Sequence, residues 1–389
     1  MELGSGALEG LEAVNAPSSI FGGFYTGRRV LVTGHTGFKG AWLSLWLHRL
    51  GAEIHGFSLP APTQPSLHEL LPANLFASQT LADVRDREAV AAAIHRIRPD
   101  VIFHLAAQAL VRRSYAEPVE TFQTNALGTA HLLDALRTTE HPCVTVVVTS
   151  DKCYENREWV YAYRENDPLG GHDVYSMSKA AAELVAQAWD RSFFRPHPTL
   201  GPVVTARAGN VIGGGDYAED RIVPDCVRAL LAGRPVRVRR PHAVRPWQHV
   251  LECLSGYLWL AACVAGQPKN SPLRGPFNFG PDPAAQQPVR VLVETFLHYW
   301  PGRWEDVSDP RAPHEATLLA LAIEKAAALL GWRPVWDFER AVRETATWYR
   351  HRHVLGHKDM VSFCLDQIAA YEADARHRQV AWARPAQPS

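Results

Sequence analysis

The chain reads as an α/β protein, a doubly wound parallel sheet with a second, smaller mixed α/β domain beside it. Three observations predict this. Short apolar runs alternate with longer helical patterns through the first half, the first run enters a glycine-rich turn that opens a helix, and the rhythm breaks after about residue 204. Near-continuous apolar strands belong to parallel sheets, because right-handed crossovers place helices on both faces. A chain of 389 residues also exceeds what one core of ~250–300 residues accommodates, so two units are expected.

Taken in order, residues 1 to 24 are small, polar and Gly/Ala-rich and read as a mobile extension. Strands are predicted at VLVT (30–33), EIHGFS (53–58), TLADV (80–84), VIFHLA (101–106), VTVVVTS (144–150) and VVTARA (203–208). Helices are expected near 38–50, 86–97, 118–137 and 175–194, with Asp86 as an N-cap and Glu117-Pro118 opening the third. Later helical patterns cover 221–232, 250–265, 289–300, 323–330 and 338–350, with short strand candidates at 236–240 and 277–280. These patterns place one domain at 25–203, with 244–270 returning to it, and a second at 204–243 and 271–355. Residues 356–389 read as a C-terminal extension.

Composition excludes several classes of function. With 40 basic and 40 acidic side chains the chain is formally neutral and has no bulk attraction for nucleic acid or anionic lipid. Six cysteines without a C-x-x-C spacing argue against a disulfide framework or a thiolate metal site and favour a reducing compartment. The first twenty residues carry Glu2, Glu9 and Glu12 but no basic residue, and no apolar run reaches the ~18–20 residues of a membrane span. A cytoplasmic protein without membrane partners is expected. His351, His353 and His357 lack a ligand pattern on one helix face, so no metal site is expected. Only six residues are lysines, which makes each one worth inspecting.

The first strand runs into Gly34-His35-Thr36-Gly37-Phe38-Lys39-Gly40 and then into a helix. Glycines there permit a tight turn, close approach of a pyrophosphate and close helix–strand packing, while the helix N-terminus offers unpaired N–H groups to an anion. The spacing G-x-x-G-x-x-G points to a Rossmann-type dinucleotide site. No acid or arginine follows the second strand at 55–59, so NAD and NADP stay undecided at this step. Asp83, followed by Val84, could reach the adenine.

Tyr175 and Lys179 are four residues apart, which places them on one helix face, where an ammonium would favour the phenolate. Ser150, at the end of the fifth strand, could hydrogen-bond the same hydroxyl. Together with His104-Leu105-Ala106-Ala107-Gln108 and Asn125-Ala126-Leu127-Gly128-Thr129, this set resembles the extended short-chain dehydrogenase/reductase family over residues 28 to about 350. The resemblance implies bound NAD, contacted by the glycine turn, by Leu105, Ala106, Ala107, Gln108 and Asn125, and by Tyr175 and Lys179. It also implies a nucleotide-sugar substrate for the second domain.

Four longer segments resemble one branch of that family, the dehydratases acting on CDP-glucose. They are GHTGFKGAWLSLWL, TSDKCYENREWVYAYREN, ARAGNVIGGGDYAEDRIVPD and RPWQHVLECLSGYLWLA. Val174, Met177 and Ala41 depart from the branch pattern, which has proline, asparagine and serine there, and none of them removes a catalytic group. The resemblance implies 4,6-dehydration of CDP-D-glucose to CDP-4-dehydro-6-deoxy-D-glucose, by oxidation at C4, elimination across C5–C6 and hydride return to C6. Tyr175, Lys179 and Ser150 would act at the C4 hydroxyl, and Asp151 as acid at C6. Lys152 would be the C5 base, or would stabilise the enolate while Tyr175 serves as base. Ser114, Asn210, Arg221, Arg245 and Arg311 are the substrate-binding candidates, the last two suited to a diphosphate by the planar arginine fork. Alternatives are a dehydratase or 4-epimerase for another nucleotide sugar, and a catalytically inactive dinucleotide-binding regulator. Helices 118–137 and 175–194 are the expected homodimer seam.

Overall fold

The computed structural model describes residues 19–309 and 318–384. Its centre is a seven-stranded sheet of β1 (Arg29–Thr33), β2 (Glu53–Ser58), β3 (Ser78–Leu81), β4 (Val101–His104), β5 (Val144–Val148), β6 (Val203–Ala208) and β7 (Pro276–Phe279). The order is β7-β6-β5-β4-β1-β2-β3, and every pairing is parallel. From β1 the chain runs outward to β2 and β3, then crosses back to β4 on the other side of β1, so a crevice opens beyond the carboxyl ends at that switch point.

Alternation within single strands builds two cores. Val30 and Val32 of β1 join Phe103, Val146 and Val148 on one face, beneath the helices Phe38–Arg49 and Val250–Val264. Leu31, Ile102 and Val147 face the other way, toward the helices Arg87–Ile97, Gly128–Arg137 and Val174–Trp189. Asp86 caps the first of these by accepting from the N–H groups of Glu88 (3.1 Å) and Ala89 (3.0 Å). The expected helix 118–137 is continuous but contains a π turn at Gln123–Leu127, between Pro118–Phe122 and Gly128–Arg137.

The strand expected at 80–84 lies at 78–81 instead. Asp83 Oδ1 accepts from the N–H of Arg85 at 2.8 Å, and this local turn takes residues 83–84 out of the ladder. Three boundaries also differ from expectation. Ile20–Gly23 form a short helical turn with Ile20 and Phe21 buried, and Tyr25 donates to the Leu258 carbonyl at 2.6 Å, so the packed chain begins before residue 24. Residues 1–18 of the expected extension lie outside the described residues. Pro276–Phe279 was expected in the second domain but pairs with β6 as the seventh strand of the main sheet. Residues 360–377, expected as an extension, form a helix on the first core: the Trp46 indole donates to Glu372 Oε1 at 2.9 Å, and Arg49 pairs with Glu372 Oε2 at 3.2 Å.

The smaller C-terminal part combines the helices Ile222–Leu231 and Val289–Tyr299 with short strand pairs, Val236–Val238 against Trp304–Asp306 and Val244–Pro246 against Gln286–Pro288. All six cysteines are free thiols. Among the described residues no helix is long and apolar enough to cross a membrane.

Candidate active site

The three glycines after β1 do different work. Gly34 has φ +74°, and a Cβ there would lie 2.8 Å from the Ala106 nitrogen. A Cβ on Gly40 would run into the Gly34 carbonyl, so this glycine lets the helix Phe38–Arg49 approach the strand. Gly37 is not explained by the fold: its backbone is ordinary extended (φ −80°, ψ 169°), and a Cβ would meet only the Gly34 carbonyl oxygen, at 3.4 Å. A side chain there would occupy the open mouth of the turn instead. That helix also starts without a side-chain cap, leaving N–H groups for an anion. The turn therefore fits a dinucleotide pyrophosphate.

Neighbouring side chains shape this cradle. The His35 ring is buried against Phe76 (5.1 Å between centroids) and hydrogen-bonds Gln79 at 3.0 Å; burial pushes its pKa down to about 4 and keeps it neutral. Only its backbone is left for a cofactor. The Thr36 hydroxyl ties the turn to the end of β2, donating to the Leu59 carbonyl at 2.9 Å. Phe38 packs beside Gly213, whose Cβ would lie 3.0 Å from its ring. Beyond β4, the Leu105 N–H donates to the Thr33 carbonyl and the Ala106 N–H to the Thr33 hydroxyl, while Ala107 is half-buried. Asn125, carried on the π turn, accepts from the Gln108 N–H (2.9 Å) and donates to the Ser178 hydroxyl (2.8 Å), one residue from Lys179. Val84 packs against Gly128, and the Asp83 carboxylate is occupied by Arg85 at 2.6 Å.

At the end of β5 the backbone enters a 3₁₀ turn, Asp151–Cys153, capped by Ser150. The Ser150 hydroxyl donates to Asp151 Oδ1 at 3.0 Å, accepts from the Lys152 N–H at 3.2 Å and stands near enough to the Tyr175 phenol to lower its pKa. Tyr175 and Lys179 project from the helix Val174–Trp189, whose N-terminus is capped by Asp173 accepting from the Ser176 N–H at 2.9 Å. The Lys179 ammonium reaches the Val148 carbonyl at 3.5 Å. Burial, helped by the charge of Lys39, lowers its pKa to about 8.

Tyr175 departs from expectation. Burial raises its pKa to about 12, with the Ser150 hydroxyl pulling it back and Asp151 adding to the rise. Desolvation of a buried phenolate outweighs the benefit expected from a lysine one turn away. Asp151 is also buried, and burial raises its pKa against the charges of Lys152, Arg245 and Lys39. Its Oδ2 has no hydrogen-bond partner among the described residues and lies where a Cβ on Gly209 would come within 2.9 Å. Protonated, this carboxyl can donate to a departing oxygen.

Of the substrate candidates, Asn210 borders the same turn, its carbonyl accepting from the Gln248 N–H at 3.2 Å. Arg245 stands close enough to act on Asp151, and its Nη1 donates to the Val244 carbonyl at 2.9 Å. Arg221 is bonded to Asp216 at 2.8 Å and bears electrostatically on Tyr175. Ser114 is not presented to a ligand: it is fully buried, and its hydroxyl donates to the Val111 carbonyl of its own helix at 2.7 Å. Arg311 lies outside the described residues. Lys39, read from the sequence as part of the glycine turn, approaches the Tyr257 hydroxyl at 3.4 Å. Absent from the sequence reading is the buried ion pair that Glu183 and Arg207 form behind the turn at the end of β5. Glu183 was detectable as an acid one turn beyond Lys179 in an otherwise apolar stretch.

Comparison with known proteins agrees with this geometry. Residues 31–267 match the family described as GDP-mannose 4,6 dehydratase. The chain is 43% identical over 353 residues to the CDP-glucose 4,6-dehydratase of Salmonella typhimurium, covering 90% of this chain and 97% of that one. It is 32% identical over 337 residues to a dTDP-glucose 4,6-dehydratase of Streptomyces antibioticus, covering 82% and 92%. Among solved structures, the dTDP-glucose 4,6-dehydratase of Streptomyces venezuelae with NAD and TYD bound shares the fold, with a TM-score of 0.71 at 24% identity over 84% of this chain and 98% of that one. Sequence likeness thus extends along most of the chain, which belongs to the GDP-mannose 4,6 dehydratase family of extended short-chain dehydrogenase/reductases.

Proposed function

We propose that the protein converts CDP-D-glucose to CDP-4-dehydro-6-deoxy-D-glucose and water. The observation that carries this reading is the buried carboxyl of Asp151, which burial holds toward its protonated form beside Ser150 and Lys152. A 4-epimerase has no C6 leaving group to protonate and no use for such an acid. NAD held at the glycine turn supplies acceptance of a hydride from C4 and its return to C6. Tyr175, as the phenolate that the positive nicotinamide ring of bound NAD would favour against the burial seen here, takes the C4 hydroxyl proton beside Ser150 and Lys179; the 4-ketone so formed acidifies C5–H. Lys152 removes the C5 proton, Asp151 protonates the departing C6 hydroxyl as water, and once hydride is back on C6 the Lys152 ammonium returns a proton to C5. Asn210, Arg221 and Arg245, with Arg311, are proposed to hold the sugar and diphosphate. The parts of 204–243 and 271–355 outside β6 and β7 are proposed to supply most of the nucleotide-sugar side.

The nucleobase is carried by likeness to the Salmonella enzyme, and one experiment tests it. Purified protein with NAD is incubated separately with the CDP-, dTDP-, UDP- and GDP-linked glucoses, and 4-keto sugar is scored by its absorbance in alkali. Product from CDP-glucose is expected; product from dTDP-glucose alone would overturn the nucleotide assignment and leave the dehydration standing. For the C5 base, Lys152→Ala protein that still washes solvent deuterium into C5 at the wild-type rate would transfer that role to Tyr175. Exposed apolar residues on the helices along one side, Val119 and Leu127 on one and Met177 and Leu184 on the other, support a homodimer seam, which sedimentation velocity tests. Six free cysteines support a reducing, cytoplasmic setting.

A further inference from the structure

Behind the Ser150–Cys153 turn lies a charged network that the chemistry itself does not use. Tyr175, Lys179 and Glu183 stand at i, i+4 and i+8 on one helix, so all three share a face. Glu183 Oε1 accepts from the Thr149 hydroxyl at 2.5 Å, and Oε2 accepts from the Thr205 hydroxyl at 2.7 Å and from Arg207 Nη2 at 2.8 Å. Arg207 Nη1 in turn donates to the Tyr154 hydroxyl at 2.7 Å, and that hydroxyl donates to Asn278 Oδ1 on β7 at 2.8 Å. The guanidinium also lies 4.8 Å over the Tyr154 ring. Thr149 precedes Ser150, and Tyr154 follows Cys153. Both ends of the turn that carries Ser150, Asp151 and Lys152 are therefore fastened to one ion pair, whose acidic member rides on the Tyr175–Lys179 helix.

The turn needs such support. Its own backbone bonds are long, 3.2 Å from the Cys153 N–H to the Ser150 carbonyl and 3.4 Å from the Tyr154 N–H to the Asp151 carbonyl. A buried ion pair is a poor source of stability, since apolar replacements of similar volume are often as stable. Orientation is the better account of this one.

We propose that Glu183 and Arg207 are positioning residues for the dehydration, their ion pair holding the Ser150–Cys153 turn, through Thr149 and Tyr154, in register with Tyr175 and Lys179. This rests on the reading of the site as a dehydratase. A displacement of about 1 Å in a reacting group is enough to slow turnover by roughly 100-fold.

The test uses the NAD-loaded full chain and two variants. Tyr154→Phe removes only the hydroxyl at one end of the turn and is expected to lower kcat roughly tenfold, the effect of one lost charge-assisted hydrogen bond. The double variant Glu183→Leu/Arg207→Met removes both charges of the pair together; it is expected to fold and to lose roughly 100-fold in kcat, with KM for CDP-glucose within about threefold of wild type. In both variants, amide exchange measured by mass spectrometry should rise in peptides spanning 149–155, while the β1 and β4 peptides stay protected. Wild-type kcat in the double variant, or unchanged exchange at 149–155 in both, would overturn the proposal. If the wild-type protein leaves CDP-glucose unconverted, the functional reading falls; the exchange rates need no sugar and still decide the positioning role.

Discussion

Two fully buried glutamates in this protein are held in opposite ways. Glu183 sits between β5, β6 and the Tyr175–Lys179 helix; burial pushes its pKa up, but Arg207's charge and hydrogen bonds from Arg207, Thr149 and Thr205 bring it below the ordinary range. Glu252 sits in the seam joining the helices Val250–Val264 and Met360–His377. Its partners are neutral donors, the N–H groups of Val335 (3.0 Å) and Trp336 (2.6 Å) and the Tyr371 hydroxyl (2.7 Å), and burial raises its pKa to about 7. Three hydrogen bonds do not replace a cation in keeping a buried carboxylate charged. The interior thus keeps a fixed charge beside the Tyr175–Lys179 helix and lets the carboxyl in the other seam approach neutrality.

The largest effect is expected from Arg207→Met alone, which strands the Glu183 charge. Urea unfolding should show a loss of about 3–5 kcal/mol; a loss under about 1 kcal/mol, typical of an exposed pair, would put the two glutamates on the same footing. Next is Glu252→Gln. The folded pKa of Glu252 lies above its ordinary 4.5, so the folded state is favoured while the group is protonated, and this advantage is lost as pH rises from the ordinary value toward about 7. The amide avoids that loss, since its oxygen still accepts from the backbone and its nitrogen can donate to Tyr371. A stability gain of about 1–3 kcal/mol at pH 8 that shrinks toward pH 5 is expected in paired denaturation curves; a gain independent of pH would mean that Glu252 does not titrate. The smallest effect tests whether a cation also sets a neighbour's charge at the site. Lys179 is lowered to about 8 by burial and then by Lys39, so Lys39→Met should raise the alkaline limb of kcat/KM by about half a pH unit at saturating NAD. A limb that stays put or falls would leave burial as the only cause.

Much of this fold could be read from sequence because its strands are buried along their whole length. The runs at 53–58 and 203–208 coincide with β2 and β6, which are buried from Ile54 to Ser58 and from Val203 to Ala208. β3 is an edge strand with alternating exposure, and there one Asp83 side chain was enough to move the boundary. β7 offers only four residues and pairs with a strand far earlier in the chain, so nothing local marked it as part of the main sheet. The same contrast holds at the site. The glycine turn and the Tyr175–Lys179 pair are local patterns with a direct chemical reading. Glu183 and Arg207 meet across 24 residues, and the rise in the Tyr175 pKa comes from burial, which no spacing records. The burial of Ser114 was hidden for a related reason, because a hydroxyl on a short helix can bond to its own preceding turn and leave the surface.

The stacked rings of Phe21 and Trp382, 5.1 Å apart and 19° from parallel, bring the two ends of the described chain together on the Trp46 side of the molecule. Topologically the folded chain is close to a ring. A circular permutant that links these ends and opens at the exposed Ala232–Arg234 turn would retain all seven strands and both halves of the site. Sequence order and assembly order could then be varied independently in a protein whose chemistry stays in place.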